Sequence, residues 1–141
     1  MTPSDLHLIR STFDSVRVAP VPFRASFRRR AVALDPSLAA LLPAEGREQA
    51  DRLVETIAIV LDGLDAAGCA QAKEQAFALR HRWTGIQPRH YGTIGQALLE
   101  ALADRLGQGF TEAARKAWAD AFVILAEALM ARSYNPLGLV A

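Results

Sequence analysis

Two of the three histidines fall in one stretch, Leu79–Gly95, which reads LRHRWTGIQPRHYGTIG. His81 stands at the end of one helical pattern, and His90 and Tyr91 open the next. Between them Thr84, Gly85 and Pro88 break the chain, because glycine permits left-handed backbone and proline suits the first turn of a new helix. The spacing therefore predicts His81 in the last turn of its helix. A histidine there, beside a corner, can point into a pocket without being packed over, and its imidazole is then placed to ligate a metal. The same position equally suits a surface or capping histidine, and the residue types alone leave both readings open. His90, in the first turn of a helix, and His7, on the flank of the first helix, read as surface residues. Cys69 has no histidine or cysteine partner at metal spacing and is assigned no role.

A chain of 141 residues is long enough for one domain that buries about 70% of its unfolded surface without staples. We expect a single domain over 1–133 and a tail over 134–141, which contains Asn135-Pro136. Net charge is +1 and the isoelectric point about 8.0, so no nucleic acid or other strongly charged partner is implied. The run Arg28-Arg29-Arg30 is too small a patch to change that. One cysteine excludes an internal disulfide and fits a reduced, cytoplasmic setting. The start, Met1-Thr2-Pro3-Ser4-Asp5, has no basic patch followed by an apolar run, so no signal peptide is expected. The longest apolar runs, Ile57–Leu61 and Phe122–Ala126, are far too short to span a membrane.

The elements that would hold these residues are all helical. Thr2 reads as a cap, with Pro3 in the first turn and Leu6, Ile9, Phe13 and Val16 at helical spacing. A second helix is predicted over about 21–33, with Phe23, Phe27 and Ala31 inward. Asp35-Pro36 begins a short turn that ends near Leu42-Pro43. A long helix follows over about 49–61, with Leu53, Ile57 and Val60 or Leu61 inward. The next, about 70–81, turns Phe77 and Ala78 to the core. A helix over about 88–106 carries Tyr91, Ile94, Leu98, Ala101 and Leu102. Thr111 caps the last, which reaches about Arg132 and turns Trp118 inward. Gly107-Gln108-Gly109 is a short corner that should set these last two helices antiparallel. Nothing alternates with period two in a way that beats the helical reading. The expected fold is all-α, with six to eight helices.

The pattern LRH-x-x-x-G-I-x-P-x-HY-x-x-IG-x-ALL-x-AL-x-x-x-LG-x-x-FT-x-x-x-x-x-AW-x-x-AF resembles the globin domain of bacterial haemoglobins and flavohaemoglobins. The likeness is dense and free of gaps from Gln49 to about Ser133 and looser before it. Leu8-Ile9-Arg10, Ala33-Leu34-Asp35-Pro36 and Thr56-Ile57-Ala58 extend it towards the start. The resemblance implies a globin fold around a pocket for haem b, with His81 as the proximal iron ligand. It sets Gln49 as the distal amide and Leu53 as the apolar residue one turn on. Phe27, Phe77 and Ile86 are implied haem contacts. Tyr91 matches a tyrosine on the side of the proximal histidine, and the family position of His90 faces solvent. Arg80 and Arg82 could reach haem propionates or stand as exposed cations at a helix end.

Three positions depart from the family pattern. Arg28 replaces the tyrosine that stabilises bound oxygen, Leu42 replaces the phenylalanine that packs on the haem, and Ser133 replaces the glutamate that partners the tyrosine. Either the pocket is rebuilt around these changes, or haem is held weakly or not at all. The retained His81, Gln49, Leu53 and Tyr91 favour a rebuilt pocket. The implied function is reversible binding of a diatomic gas (oxygen, nitric oxide or carbon monoxide) by a carrier or scavenger, as monomer or homodimer. A nitric oxide dioxygenase or peroxidase-like enzyme is the alternative. It would need a separate reductase, and the changes at Arg28 and Ser133 weigh against it. A third reading is a haem-free globin used for sensing or interaction.

Overall fold

The computed structural model describes residues 1–44, 46–65, 70–79, 81 and 85–130. Arg80, Arg82, Trp83, Cys69, Ser133 and the tail lie outside the described residues. Among the described residues six α-helices run in order: α1 (Pro3–Arg17), α2 (Pro20–Leu34), α3 (Arg47–Asp62), α4 (Ala70–Ala78), α5 (Tyr91–Leu106) and α6 (Glu112–Met130). Short 3-10 turns occupy Pro36–Ala40, Pro88–His90 and Gly107–Gly109. The described residues contain no strand, and among them no helix is long and apolar enough to cross a membrane.

Local chemistry accounts for most of the boundaries. Thr2 accepts the Asp5 N–H at 3.0 Å while Asp5 accepts the Thr2 N–H at 3.0 Å, so the first turn of α1 is capped from both sides. Asp35 does the same work for Pro36–Ala40, its Oδ1 accepting the Ser37 N–H at 3.0 Å. Thr111 Oγ1 accepts the Ala114 N–H and starts α6. Gly107 ends α5 with φ of 56°, a conformation that glycine adopts without strain.

Two expectations are corrected at α4. The α-helix ends at Ala78, so His81 lies beyond it rather than in its last turn. The His81 ring bonds the Ala78 carbonyl, an acceptor that a further turn of helix would have used, and such local side-chain bonds compete with helix. Ala78 itself is exposed, because this helix buries a narrow face of small residues, Ala72 and Ala76.

Most of the core is one continuous cluster. Phe13, Val16, Phe23, Phe27, Leu38, Ile94, Leu102 and Trp118 are all at its centre and almost wholly buried. Helix α2 packs on both α3 and α5, while α1 and α4 lean on α6. Polar ties hold these contacts in register. Trp118 Nε1–H on α6 donates to Thr12 Oγ1 on α1 at 2.8 Å, buried, with the Phe13 ring 6.2 Å from the indole. Arg30 grips Asp104 through Nη2 at 2.7 Å and Nε at 3.1 Å, and the Ser26 hydroxyl donates to the same carboxylate, joining α2 to α5. Those donors, Arg30 first and Ser26 next, hold the Asp104 carboxyl below its ordinary range.

At two places helices approach so closely that only glycine fits. A Cβ on Gly63 would stand 2.5 Å from the Ala72 N and 2.7 Å from its Cα, so α3 meets the backbone of α4 there. A Cβ on Gly95 would stand 2.6 Å from the Phe122 ring, between α5 and α6.

Gly63→Ala should therefore destabilise the protein by about 1–3 kcal/mol through overpacking against backbone that cannot rotate away, read as a lowered urea midpoint. A lowered Asp104 pKa adds stability above the ordinary carboxylate range and loses it as pH falls through the lowered value. Asp104→Asn should thus be less stable than the parent at pH 7, and the gap between their urea midpoints should shrink as pH falls below about 4.

Candidate functional site

The pocket is built from α2, the loop after it and α3. Helix α2 sends Phe27 into it, and Phe27 is almost wholly buried. The chain then turns through Pro36–Ala40 and returns over the pocket as Leu41, Leu42 and Pro43. Gln49, in the first turn of α3, and Leu53, one turn on, face the same space, as residues four apart on a helix must. Ile86, from the segment before α5, completes the wall. The cavity they leave is about 70 Å³ and partly open, smaller than an ordinary small-molecule site. A second space, about 30 Å³ and almost purely apolar, lies between Ile57, Leu61, Leu98, Trp118 and Phe122.

Five of the sequence-derived candidates, Phe27, Leu42, Gln49, Leu53 and Ile86, thus line one pocket. Arg28, His81, Phe77 and Tyr91 stand elsewhere. Arg28 is turned to the backbone: its Nε donates to the Leu42 carbonyl at 3.2 Å and to the Pro43 carbonyl at 3.1 Å, and Nη2 donates to the Ala39 carbonyl at 3.3 Å. It fastens the loop that carries Leu42. Phe77 is half-buried on α4. Tyr91 is buried in a small cluster with Ala126 and Leu129 of α6, and Ile86 packs against both that cluster and the main core. Burial pushes the Tyr91 hydroxyl up from its ordinary pKa.

His81 is exposed, with Nδ1 3.2 Å from the Ala78 carbonyl. That contact fixes the tautomer: with Nδ1–H donated, the lone pair of the neutral ring lies on Nε2. A ligating histidine commonly gives its second nitrogen to a carbonyl in this way.

Sequence reasoning missed two residues. Arg24 is buried, lines the pocket and donates from Nη2 to the Pro43 carbonyl at 2.9 Å. Its spacing was a signal, since Arg24 and Arg28 are four apart beside the Phe23–Phe27 face. The other is His90. It is not a surface residue but is 1% exposed, the correction with the largest consequence for the site. The 3-10 turn Pro88–His90 folds the ring inward, where Nδ1 accepts the Gln87 N–H at 2.9 Å.

A pocket between helices, faced by a carboxamide and four apolar side chains, agrees with the family comparison: the model described as Globin matches residues 43–129. The chain belongs to the globin family. This globin is 26% identical over 135 residues to a flavohemoprotein of Vibrio cholerae, covering 94% of the chain and 34% of that relative. The globin therefore spans about a third of that flavohemoprotein's length. Against the neuroglobin of Tetraodon nigroviridis it is 24% identical over 152 residues, covering 98% of the chain and 95% of the relative. A flavohemoprotein of Bacillus subtilis is 39% identical over 51 residues, or 36% of the chain and 13% of that relative.

Arg28→Ala should cost about 1–2 kcal/mol, because three carbonyls lose a charged donor, whereas Arg29→Ala, on an exposed side chain, should stay within about 0.5 kcal/mol. Paired denaturation curves of the two variants check this. Equal effects would mean that Arg28 does not fasten the loop.

Proposed function

We propose that this chain is a haem-binding globin that reversibly takes up oxygen or another diatomic gas, with His81 holding the iron. The observation that carries the reading is the His81 ring, whose Nδ1 meets the Ala78 carbonyl in the way a ligating histidine commonly gives its second nitrogen. Membership of the globin family supports the same conclusion. The donor set fits haem. One imidazole, His81, suits the proximal position though it does not line the pocket, where Phe27, Leu42, Leu53 and Ile86 supply carbon and Gln49, Thr56 and two arginines supply polar groups. Arg52, one turn into α3, also lines the pocket and suits an anionic substituent at its rim.

When bound, haem b supplies the iron at which a diatomic gas is held. The chain's own residues set how. The Gln49 amide donates a hydrogen bond to a polar ligand in the pocket. Leu53 and Phe27 keep water out, which strengthens that bond by lowering the local dielectric. Leu42 fills volume where an aromatic ring would stack, so on that side haem would be held by packing without stacking.

Similarity to flavohemoproteins, whose name joins a flavin and a haem, favours nitric oxide dioxygenation with a separate reductase as a second reading. Against it stands Arg28, bonded to backbone carbonyls at the position where an oxygen-stabilising tyrosine is expected.

Absorption spectra of the haem-reconstituted protein and its His81→Ala variant test the proposal. The parent should show a sharp Soret band that carbon monoxide shifts, and the variant should lose or displace it. A parent that takes up no haem, or takes it up identically without His81, would leave the globin fold serving a haem-free role. With haem bound and a reductant supplied, sustained nitrate formation from nitric oxide would favour the enzyme over the carrier.

A further inference from the structure

Helices α5 and α6 carry between them a wide-open trough of about 460 Å³, lined by those two helices alone and almost wholly by carbon. On α6, Ala119, Val123, Ala126 and Met130 follow at steps of four, three and four residues, the spacing of a coiled-coil seam. On α5, Gly92, Gln96 and Leu99 begin the same steps. Much of this seam faces solvent rather than core. Val123 is 54% exposed and Met130 is 40% exposed, and they are two of the five large apolar side chains that stand out among the described residues. A Cβ on Gly92 would meet nothing within 4 Å, so the chain's own packing does not call for glycine there. Glycine within a helix costs up to about 1 kcal/mol relative to alanine. A small-molecule site buries most of its ligand, which a trough this open does not do. An outward seam with room for a close neighbour suits another helix.

Charge selects the neighbour. Lys116 stands seven residues before Val123, and Glu127 directly follows Ala126; both are exposed. Lys116 Nζ meets Asp120 at 2.9 Å within its own helix, whereas Glu127 makes no ion pair among the described residues. An antiparallel, two-fold crossing that sets Val123 of each chain against Ala119 of the other brings Lys116 level with Glu127 of the second copy. The symmetry makes that contact twice. A parallel crossing in register would instead set lysine against lysine and glutamate against glutamate.

We propose that the α5–α6 face pairs with the same face of a second copy of this chain, as a two-fold dimer steered by Lys116 and Glu127. This stands without the haem reading. The two helices have 16 and 19 residues, so they are about 24 and about 28 Å long. Packed side by side they offer roughly 500 Å² per copy, or about 1,000 Å² in all, at the lower edge of specific interfaces. The pair is therefore weak and in exchange with monomer, with a dissociation constant on the order of 10–100 µM.

Sedimentation velocity of the full chain at low salt, from about 5 to about 500 µM, tests the dimer. The parent should pass from monomer to dimer across that range. Val123→Glu should weaken pairing at least about 10-fold and keep the parent's urea midpoint, because the side chain is exposed. Lys116→Glu and Glu127→Lys each place like charges at both contacts, and each should weaken self-pairing about 10-fold. An equimolar mixture of these two single variants should dimerise like the parent, because every contact then joins opposite charges, and the double variant should do the same. A structural role for either residue would give no rescue on mixing. A parent that is monomeric throughout overturns the pairing, whether residues 131–141 or a different protein then cover the face. So does a dimer that survives Val123→Glu, or a pair of single variants that fails to associate when mixed.

Discussion

Two guanidinium groups on α2 hold the carbonyls of residues 39–43, and the pocket depends on them. The chain leaves α2 at Leu34, turns through Pro36–Ala40 and crosses back with Leu41 and Leu42 facing the cavity. Those carbonyls cannot all be satisfied by so short a turn, and unmet backbone acceptors near a cavity are unfavourable. Arg24 and Arg28 answer them from below, Arg24 at Pro43 and Arg28 at Ala39, Leu42 and Pro43. Charged donors make the stronger bonds of this kind. Leu42 is buried because the backbone beside it is tied down, and the space under it stays shaped. A basic run that looks like a solvated face therefore contains one residue whose role is architectural.

Most of the pocket's polar groups, Arg24 of α2 aside, come from one helix. Gln49, Arg52 and Thr56 all come from α3, while Phe27, Leu42 and Ile86 come from three other parts of the chain. A ligand that is apolar over most of its area and polar at an edge matches that division. The second apolar space, between α3, α5 and α6, adds no polar partner. Its lining includes Phe122, whose ring also presses on Gly95. The close approach of α5 and α6 and the shape of this inner space are thus set by the same side chain.

Much of this was legible in the sequence, and for physical reasons. Thr2, Asp35 and Thr111 announced helix or turn starts because capping is local chemistry within three residues. The inward faces of α1, α3 and α5 followed from apolar spacing. Gln49 and Leu53 were found together because a four-residue separation on a helix guarantees a shared face. Two of the failures depended on contacts distant in sequence. His90 looks like any histidine at a helix start until the 3-10 turn rolls it inward against Asp35, fifty-five residues earlier. Arg24 looks like any surface arginine until Pro43 arrives above it. The end of α4 was misjudged because one side chain, His81, competes for the carbonyl that would have continued the helix. No periodicity encodes such a competition.

The bond between Thr12 and Trp118 spans 106 positions of the chain. On the ribosome, α1 is made well before α6, so its apolar face waits for the indole that completes its seat. Almost the whole chain must be made before the two ends can meet. For the seconds that synthesis of the intervening residues takes, Leu6, Ile9 and Phe13 are available to any other apolar surface in the cell. A contact this distant in sequence must offset the closure of a long loop before it contributes, which slows folding.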